Sequence, residues 1–199
     1  MAGGRKLEFD KQSALEAAME VFWLKGYSGA SLSDLTLSMG INKPSMYSTF
    51  GNKEELFLKA AHYYIERNIN THCPLLTELN TPLRARLKSF MMSLVTLQCD
   101  ASKPRGCFII TSIAEAASGG IPGEAGEMIN QVATFIPALL EDLFKNDPEA
   151  KKLGLNKEAS KNALCLATTL YGTSTMARAN KKLPDLEPVF DNALKGLGL

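Results

Sequence analysis

The chain has 199 residues, 45% of them apolar and 22% charged, with a formal net charge of +1. This is ordinary globular composition for one large domain or two small ones. It excludes a membrane-spanning chain, because no apolar run approaches the roughly 20 residues a spanning helix needs. The four cysteines, Cys73, Cys99, Cys107 and Cys165, form no CxxC pair. The polar start, Met1 to Asp10, carries no signal-peptide apolar region. A cytoplasmic protein with reduced thiols and no membrane contact is therefore expected.

Almost every segment reads as helix, and strand-like alternation is confined to the short run Cys107–Ile110. The first helix is predicted from Lys11 to Lys25, with Asp10 as N-cap, Gly26 as stop, and Leu15, Ala18, Met19 and Phe22 on its apolar face. A short second helix spans Leu32 to Met39. Ser31 and Asp34 have capping-box spacing ahead of it, and Gly40 ends it. A third begins after Asn42 with Lys43-Pro44 in its first turn, where proline costs little. It ends near Phe50-Gly51. Asn52 and Glu55 form a second capping box for a long fourth helix, predicted to run to Cys73-Pro74. A fifth helix follows Thr81-Pro82 to Cys99, and a sixth runs from Cys107 to Ala117. A seventh runs from Pro122 to Asn146-Asp147-Pro148. An eighth extends from Asn156 to Asn180, and a ninth starts near Pro184 or Pro188. The expected fold is all-α: three helices in residues 1–53 form a helix-turn-helix DNA-binding domain, and six in 54–199 form a helical bundle for ligand binding and dimerisation.

Two short helices joined by a tight Gly-containing turn form the unit that sets one helix in the major groove. Here the turn is Gly40-Ile41-Asn42, with Ile41 wedged between the two helices. The third helix offers Lys43, Ser45, Tyr47, Ser48 and Thr49 to base edges and phosphates. The start of the fourth helix offers free amides with Lys53 beside them, a ready phosphate site. Charge does not add to this reading. Residues 1–53 carry six Lys/Arg against five Asp/Glu, which leaves +1 and makes the remainder neutral.

Three stretches carry a resemblance. Ala17-Ala18-Met19-Glu20-Val21-Phe22-Trp23-Leu24-Lys25-Gly26-Tyr27, then Ala30-Ser31-Leu32-Ser33-Asp34-Leu35, then Met39 to Leu56 with its Tyr47-x-x-Phe50 and Lys53-Glu54-x-Leu56, resemble the TetR family of bacterial repressors. The resemblance implies a homodimer that binds palindromic double-stranded DNA and is released by a small-molecule inducer. It implies that Ser31 and Lys53 touch phosphate, that Lys43 and Ser45 sit near bases, and that Tyr47 lies against the backbone. Met46 and Thr49 complete the expected DNA-facing set. Thr36 and Ser38 depart from the family's usual small apolar residues.

In the C-terminal part, Phe90, Met91, Leu94, Phe108, Ile109, Met128, Phe135 and Tyr171 are candidate pocket residues. Thr111, Ser112 and Gln131 are candidates to orient a ligand. Pro104-Arg105-Gly106-Cys107-Phe108 resembles a branch of the family with an Arg-Gly-Cys motif, some members of which sense electrophiles. Cys107 at a helix N-terminus near Lys103 and Arg105 is where a thiolate would be stabilised, so a thiol-reactive inducer is one reading and an inert core cysteine the other. His62 and His72 lie nearly three turns apart, too far to share an ion on one helix, so no metal and no cofactor is expected. One face of the eighth helix, Ala163, Ala167, Leu170, Tyr171 and Ser174, with Val189, Ala193 and Leu197 of the ninth, is the candidate dimer surface. The alternative is a helical ligand-binding or adaptor protein that does not bind DNA, supported by the neutral charge alone. No nucleophile–base set, paired carboxylates or phosphate loop suggests an enzyme.

Overall fold

In a computed structural model, residues 9–78 and 80–199 are described. Arg5 and Lys6, counted in the charge above, and the Met1 to Glu8 part of the polar start lie outside the described residues. The described residues form α-helices, short 3-10 turns and loops, with no strand among them. None of the helices is long and apolar enough to cross a membrane.

The N-terminal unit follows its caps. In α1 (Lys11–Gly29), Asp10 accepts from the amides of Gln12 and Ser13, and the helical course breaks at Gly26 (φ 74, ψ 174). That conformation is open only to glycine, so the stop expected there is present even though helical turns resume after it. In α2 (Leu32–Met39) Ser31 and Asp34 form the capping box, and Gly40 closes it in the left-handed region (φ 65). Thr36 and Ser38 are accommodated without loosening the core. Their hydroxyls bond the carbonyls of Leu32 (2.9 Å) and of Ala17 on α1 (3.4 Å), while Leu35 and Met39 stay buried. Asn42 caps α3 (Lys43–Phe50), and Asn52 with Glu55 caps α4 (Lys53–Asn68).

An aromatic seam joins this unit to the bundle. Phe22 of α1 packs edge-on to Phe57 of α4 (5.1 Å), and Phe57 edge-on to Phe108 of α6 (5.4 Å). Tyr64 of α4 meets Phe108 (5.7 Å) and Trp23 of α1 (5.1 Å) in the same geometry. Trp23, on the buried side of α1, was not among the apolar positions anticipated for that helix; Leu15, which was, is half-buried.

The bundle contains α5 (Leu83–Cys99), α6 (Phe108–Ala117), α7 (Gly123–Val132), α8 (Phe135–Asn146), a short α9 (Pro148–Lys152), α10 (Ala159–Arg178) and α11 (Leu183–Gly196). It thus has seven α-helices where five were expected beyond α4, for two local reasons. The seventh predicted helix is two, because Pro137 would drive its ring into the carbonyl of Ala133 in a continuous helix. The chain breaks at Ala133-Thr134, Pro137 falls in the first turn of α8, and the Tyr171 hydroxyl donates to the freed Ala133 carbonyl at 2.6 Å. Asp147-Pro148, taken as a stop, is also a start, since Asp147 caps α9 and proline suits its first position. The fourth helix ends at Asn68 rather than Cys73, and the chain through Pro74 tightens into a 3-10 turn, Asn70–Leu76.

The dimer face expected on the eighth helix is corrected. Ala163, Ala167, Leu170 and Ser174 are turned inward and buried within this chain, and Tyr171 is half-buried. The outward face of α10 instead carries Leu164 (61% exposed), Cys165, Thr168, Gly172, Thr175 and Met176, and α11 beside it exposes Pro188, Val189 and Asn192.

Arg86 ties the far end of the bundle. Its guanidinium, 2% exposed, donates to the carbonyls of Leu76 (2.7 Å) and Thr81 (2.9 Å) and to Asp147 (2.8 Å). Burial pushes the Asp147 carboxyl up, but the Ala150 amide and Arg86 outweigh it and hold it below the ordinary range. Its stabilising contribution is therefore complete above the usual carboxylate pKa of about 4 and is lost as pH falls through the depressed value. Arg86→Met leaves that carboxylate buried without its partner, and urea titration is expected to show a loss of about 3–5 kcal/mol.

Candidate DNA interface and candidate ligand pocket

The DNA-facing candidates do not share one environment. On α3, Lys43 and Ser48 are exposed, Tyr47 is 46% exposed, and Ser45 and Thr49 are half-buried. Met46, expected at the DNA, is corrected: it is fully buried, on the opposite side of α3 with Phe50 in the core. Thr49 turns its hydroxyl inward, where it is buried and has no hydrogen-bond partner. Lys59 of α4 donates to the Phe50 carbonyl at 3.0 Å and so closes the C-terminal end of α3.

Ser31 is exposed, but both its donors are committed within the capping box. Its amide (3.0 Å) and its hydroxyl (2.8 Å) donate to Asp34, whose carboxylate pairs with Lys25 at 2.6 Å. The hydrogen bonds of Lys25 and Ser31 hold the Asp34 carboxyl down at about 2, so it is charged at neutral pH. A phosphate at Ser31 must therefore displace a carboxylate. Lys53 is better placed. It opens α4, and its ammonium lies 4.6 Å over the Tyr27 ring, a cation–π contact that fixes a long side chain at a helix N-terminus. Burial lowers its pKa and the Glu115 carboxylate opposes that shift. Tyr27 is itself held between the Phe22 ring (6.2 Å, stacked) and Phe57 (5.3 Å, edge-on).

In the bundle a narrow cavity of about 40 Å³ lies behind α6. A single water needs roughly 10–15 Å³ on this measure. Of the pocket residues expected from sequence, Leu94, Cys107, Ile109, Phe135 and Tyr171 line it. Phe90, Met91, Phe108, Thr111, Met128, Ser112 and Gln131 do not. Phe90, Met91 and Phe108 are fully buried core residues, and the Thr111 hydroxyl bonds back to the Cys107 carbonyl (2.7 Å). Sequence reasoning missed the contribution of α4, Tyr64 and Asn68, and that of Leu97, Gln98, Ile110 and Ile136. Helical spacing places residues on a face but does not say which face meets an unfilled space. No lining residue carries a formal charge.

Residues 14–60 match the family profile described as "Bacterial regulatory proteins, tetR family". The match runs from the first turn of α1 to the middle of α4. Among curated proteins, the chain is 33% identical over 109 residues to the HTH-type transcriptional repressor ComR of Escherichia coli K12, covering 55% of this chain and 52% of ComR. It is 34% identical over 114 residues to the HTH-type transcriptional regulator YezE of Bacillus subtilis 168, covering 56% and 57%. The chain thus spans little more than half the length of the curated relatives it matches. Among solved structures, a cysteine mutant of the TetR family transcriptional regulator CifR, complexed with 26-base-pair operator DNA, superposes with a TM-score of 0.84 at 27% identity, covering 96% of this chain and 98% of that one. The fold is TetR-like, with an N-terminal helix-turn-helix unit and a C-terminal helical domain, and the relatives are regulators, not enzymes.

The TetR-like frame gives Cys107 a definite setting. It is the N-cap of α6, at the helix N-terminus as expected, where Tyr64 first and then the amides of Ile110 and Ile109 favour the thiolate. Burial nevertheless wins and pushes the thiol up. The cations expected beside it are elsewhere: Lys103 pairs with Glu16 and Glu20 of α1, and Arg105 acts on Cys99. The stabilised thiolate is therefore corrected to a neutral, buried thiol. Thiol labelling of the folded protein is expected to modify Cys107 last, after the half-buried Cys73 and Cys99, with Cys107 reacting fully only in denaturant.

Proposed function

We propose that this protein is a ligand-responsive transcriptional repressor that binds palindromic operator DNA as a homodimer in the cytoplasm. The division into residues 1–53 for DNA and 54–199 for ligand and dimerisation belongs to this proposal, with α4 crossing between the two. The observation that carries it is the capped α2–Gly40–α3 unit with Lys43, Tyr47 and Lys53 presented outward, in a chain that superposes over nearly its full length on an operator-bound regulator.

The homodimer reading rests on the outward faces of α10 and α11, whose middle turns expose no ionised group. Leu164, Thr168, Gly172 and Met176 form a stripe without ionised groups, the composition found where two protomers bury a shared surface. Two protomers would present their α3 helices to half-sites about one DNA turn apart.

The inducer reading rests on the cavity. Its walls are apolar, and its polar edges are Asn68, Gln98, Tyr64 and Tyr171. An uncharged, mostly apolar small molecule with one hydrogen-bonding group fits this chemistry. The cavity holds only about three waters, so a larger ligand must part α6 from its neighbours, and that displacement is the means of regulation. A thiol-reactive inducer would reach Cys107 only through this cavity.

The test uses duplexes selected by the protein from a random pool. Salt-dependent binding to a palindrome, with a dimer in light scattering, is expected; a monomer at micromolar concentration, or binding no stronger to the palindrome than to a scrambled duplex, sinks the reading. Lys43→Ala is expected to weaken binding to the palindrome, and Lys53→Ala to weaken it and to lower the slope of log K against log salt by about 0.9, the share of one phosphate. Tyr47→Ala should weaken binding with no change in slope.

A further inference from the structure

Between the cavity and the DNA-binding unit lies a carboxylate that ties α6 to α1. Glu115 stands near the C-terminal end of α6, where a negative charge opposes the helix dipole. Its place is thus not set by the stability of α6. Its two oxygens accept from the backbone amides of Tyr27 (2.8 Å) and Ser28 (2.7 Å), the first residues after the break in α1. The Ser28 hydroxyl adds a bond to the Gly120 carbonyl, just past α6 (3.1 Å).

The slot that holds this carboxylate is built by missing side chains. A β-carbon at Gly26, itself at φ +74, would stand 2.9 Å from Glu115 Oε2, and one at Gly120 would stand 2.7 Å from Glu115 Cγ. Two glycines therefore leave the room that the carboxylate fills.

Both ends of the connection lead somewhere. Toward the bundle, Cys107, Ile109 and Ile110 at the start of α6 line the cavity, five to eight residues from Glu115, about 8–12 Å along the helix. Toward the DNA, Glu115 holds the backbone of Tyr27, and the Tyr27 ring carries the Lys53 ammonium at the N-terminus of α4.

We propose that Glu115 is a positioning residue for DNA binding: by gripping the Tyr27 and Ser28 amides it sets the Tyr27 platform under Lys53, and through α6 it transmits occupation of the cavity to that platform. The transmission half rests on the inducer reading above; the positioning half does not. Parting α6 from the bundle withdraws the carboxylate, frees Tyr27 and lets Lys53 leave the phosphate.

Glu115→Ala decides the positioning by the sign of its effect. Removing an acid near DNA tightens binding if the group acts only as a charge. Loss of the grip weakens it, by about tenfold or more for two charge-assisted hydrogen bonds. Glu115→Gln also removes the charge but keeps one acceptor, so a smaller weakening is expected. If Glu115→Ala does not fold, the Gln variant decides by the same sign. Affinity unchanged or raised in the variant that folds overturns the proposal. Hydrogen exchange gives a second reading: the Tyr27 and Ser28 amides should lose protection while those of Leu56 to Ala61 keep theirs, and unchanged protection at Tyr27 overturns it equally. For transmission, Ile110→Phe overfills the cavity in place of a ligand. It should release the otherwise unaltered protein from the duplex yet add nothing in the Glu115→Ala background. Additive effects overturn the transmission. No effect of Ile110→Phe on the unaltered protein overturns the inducer reading and the transmission with it, while the positioning is judged on Glu115 alone.

Discussion

The edge-to-face contacts of Phe57 and Tyr64 hold the molecule together as one unit. These two residues lie seven apart on α4, two turns on one face, and each meets α1 on one side and Phe108 of α6 on the other. A helix that opens with Lys53 and ends at the wall of a cavity is therefore clamped between α1 and α6. Aromatic pairs of this kind each add about 0.5–1.5 kcal/mol beyond their burial and have preferred angles, so they resist sliding as well as separation. Small movements of α6 cannot be absorbed at the seam; they must appear at one end of α4 or at the other.

The near-neutral N-terminal unit makes sense within this frame. Several of its charges are tied up in ion pairs within the chain. Lys25 is bound to Asp34, and Glu16 and Glu20 are bound to Lys103 from the loop before α6. In the proposed reading, the groups offered to DNA among the described residues include Lys43 at the start of α3, Lys53 at the start of α4, and the amides at both helix termini. Such an arrangement gives up long-range attraction and relies on geometry, so a mechanism that alters geometry controls it effectively.

Much of the N-terminal unit was legible because its signals are local. Asp10, Ser31, Asn42 and Asn52 each cap a helix within three residues, and Gly26 and Gly40 adopt the conformations their type suggests. Local signals also misled where two principles competed. Pro137 was readable as a helix breaker acting four residues upstream, yet the stretch from Pro122 to Asn146 was taken as one helix. Asp147-Pro148 was taken for an end, although the same pair serves equally as a beginning. What could not be read was the direction of faces in three dimensions. Met46 and Tyr47 are neighbours in sequence with opposite fates, and the small residues of α10 pack inward while Leu164 and Met176 face out. The cavity was half legible, since Leu94, Phe135 and Tyr171 were anticipated but the share of α4 was not. The grip of Glu115 on Tyr27 spans 88 residues and leaves no local trace.

The seam has one practical consequence. Trp23 is the only tryptophan in the chain, and it sits within it, edge-on to a tyrosine that also lines the cavity. The indole is therefore a built-in optical probe at the junction of the two units. Its emission will register the arrangement of α1, α4 and α6 from a single position, in the unlabelled protein.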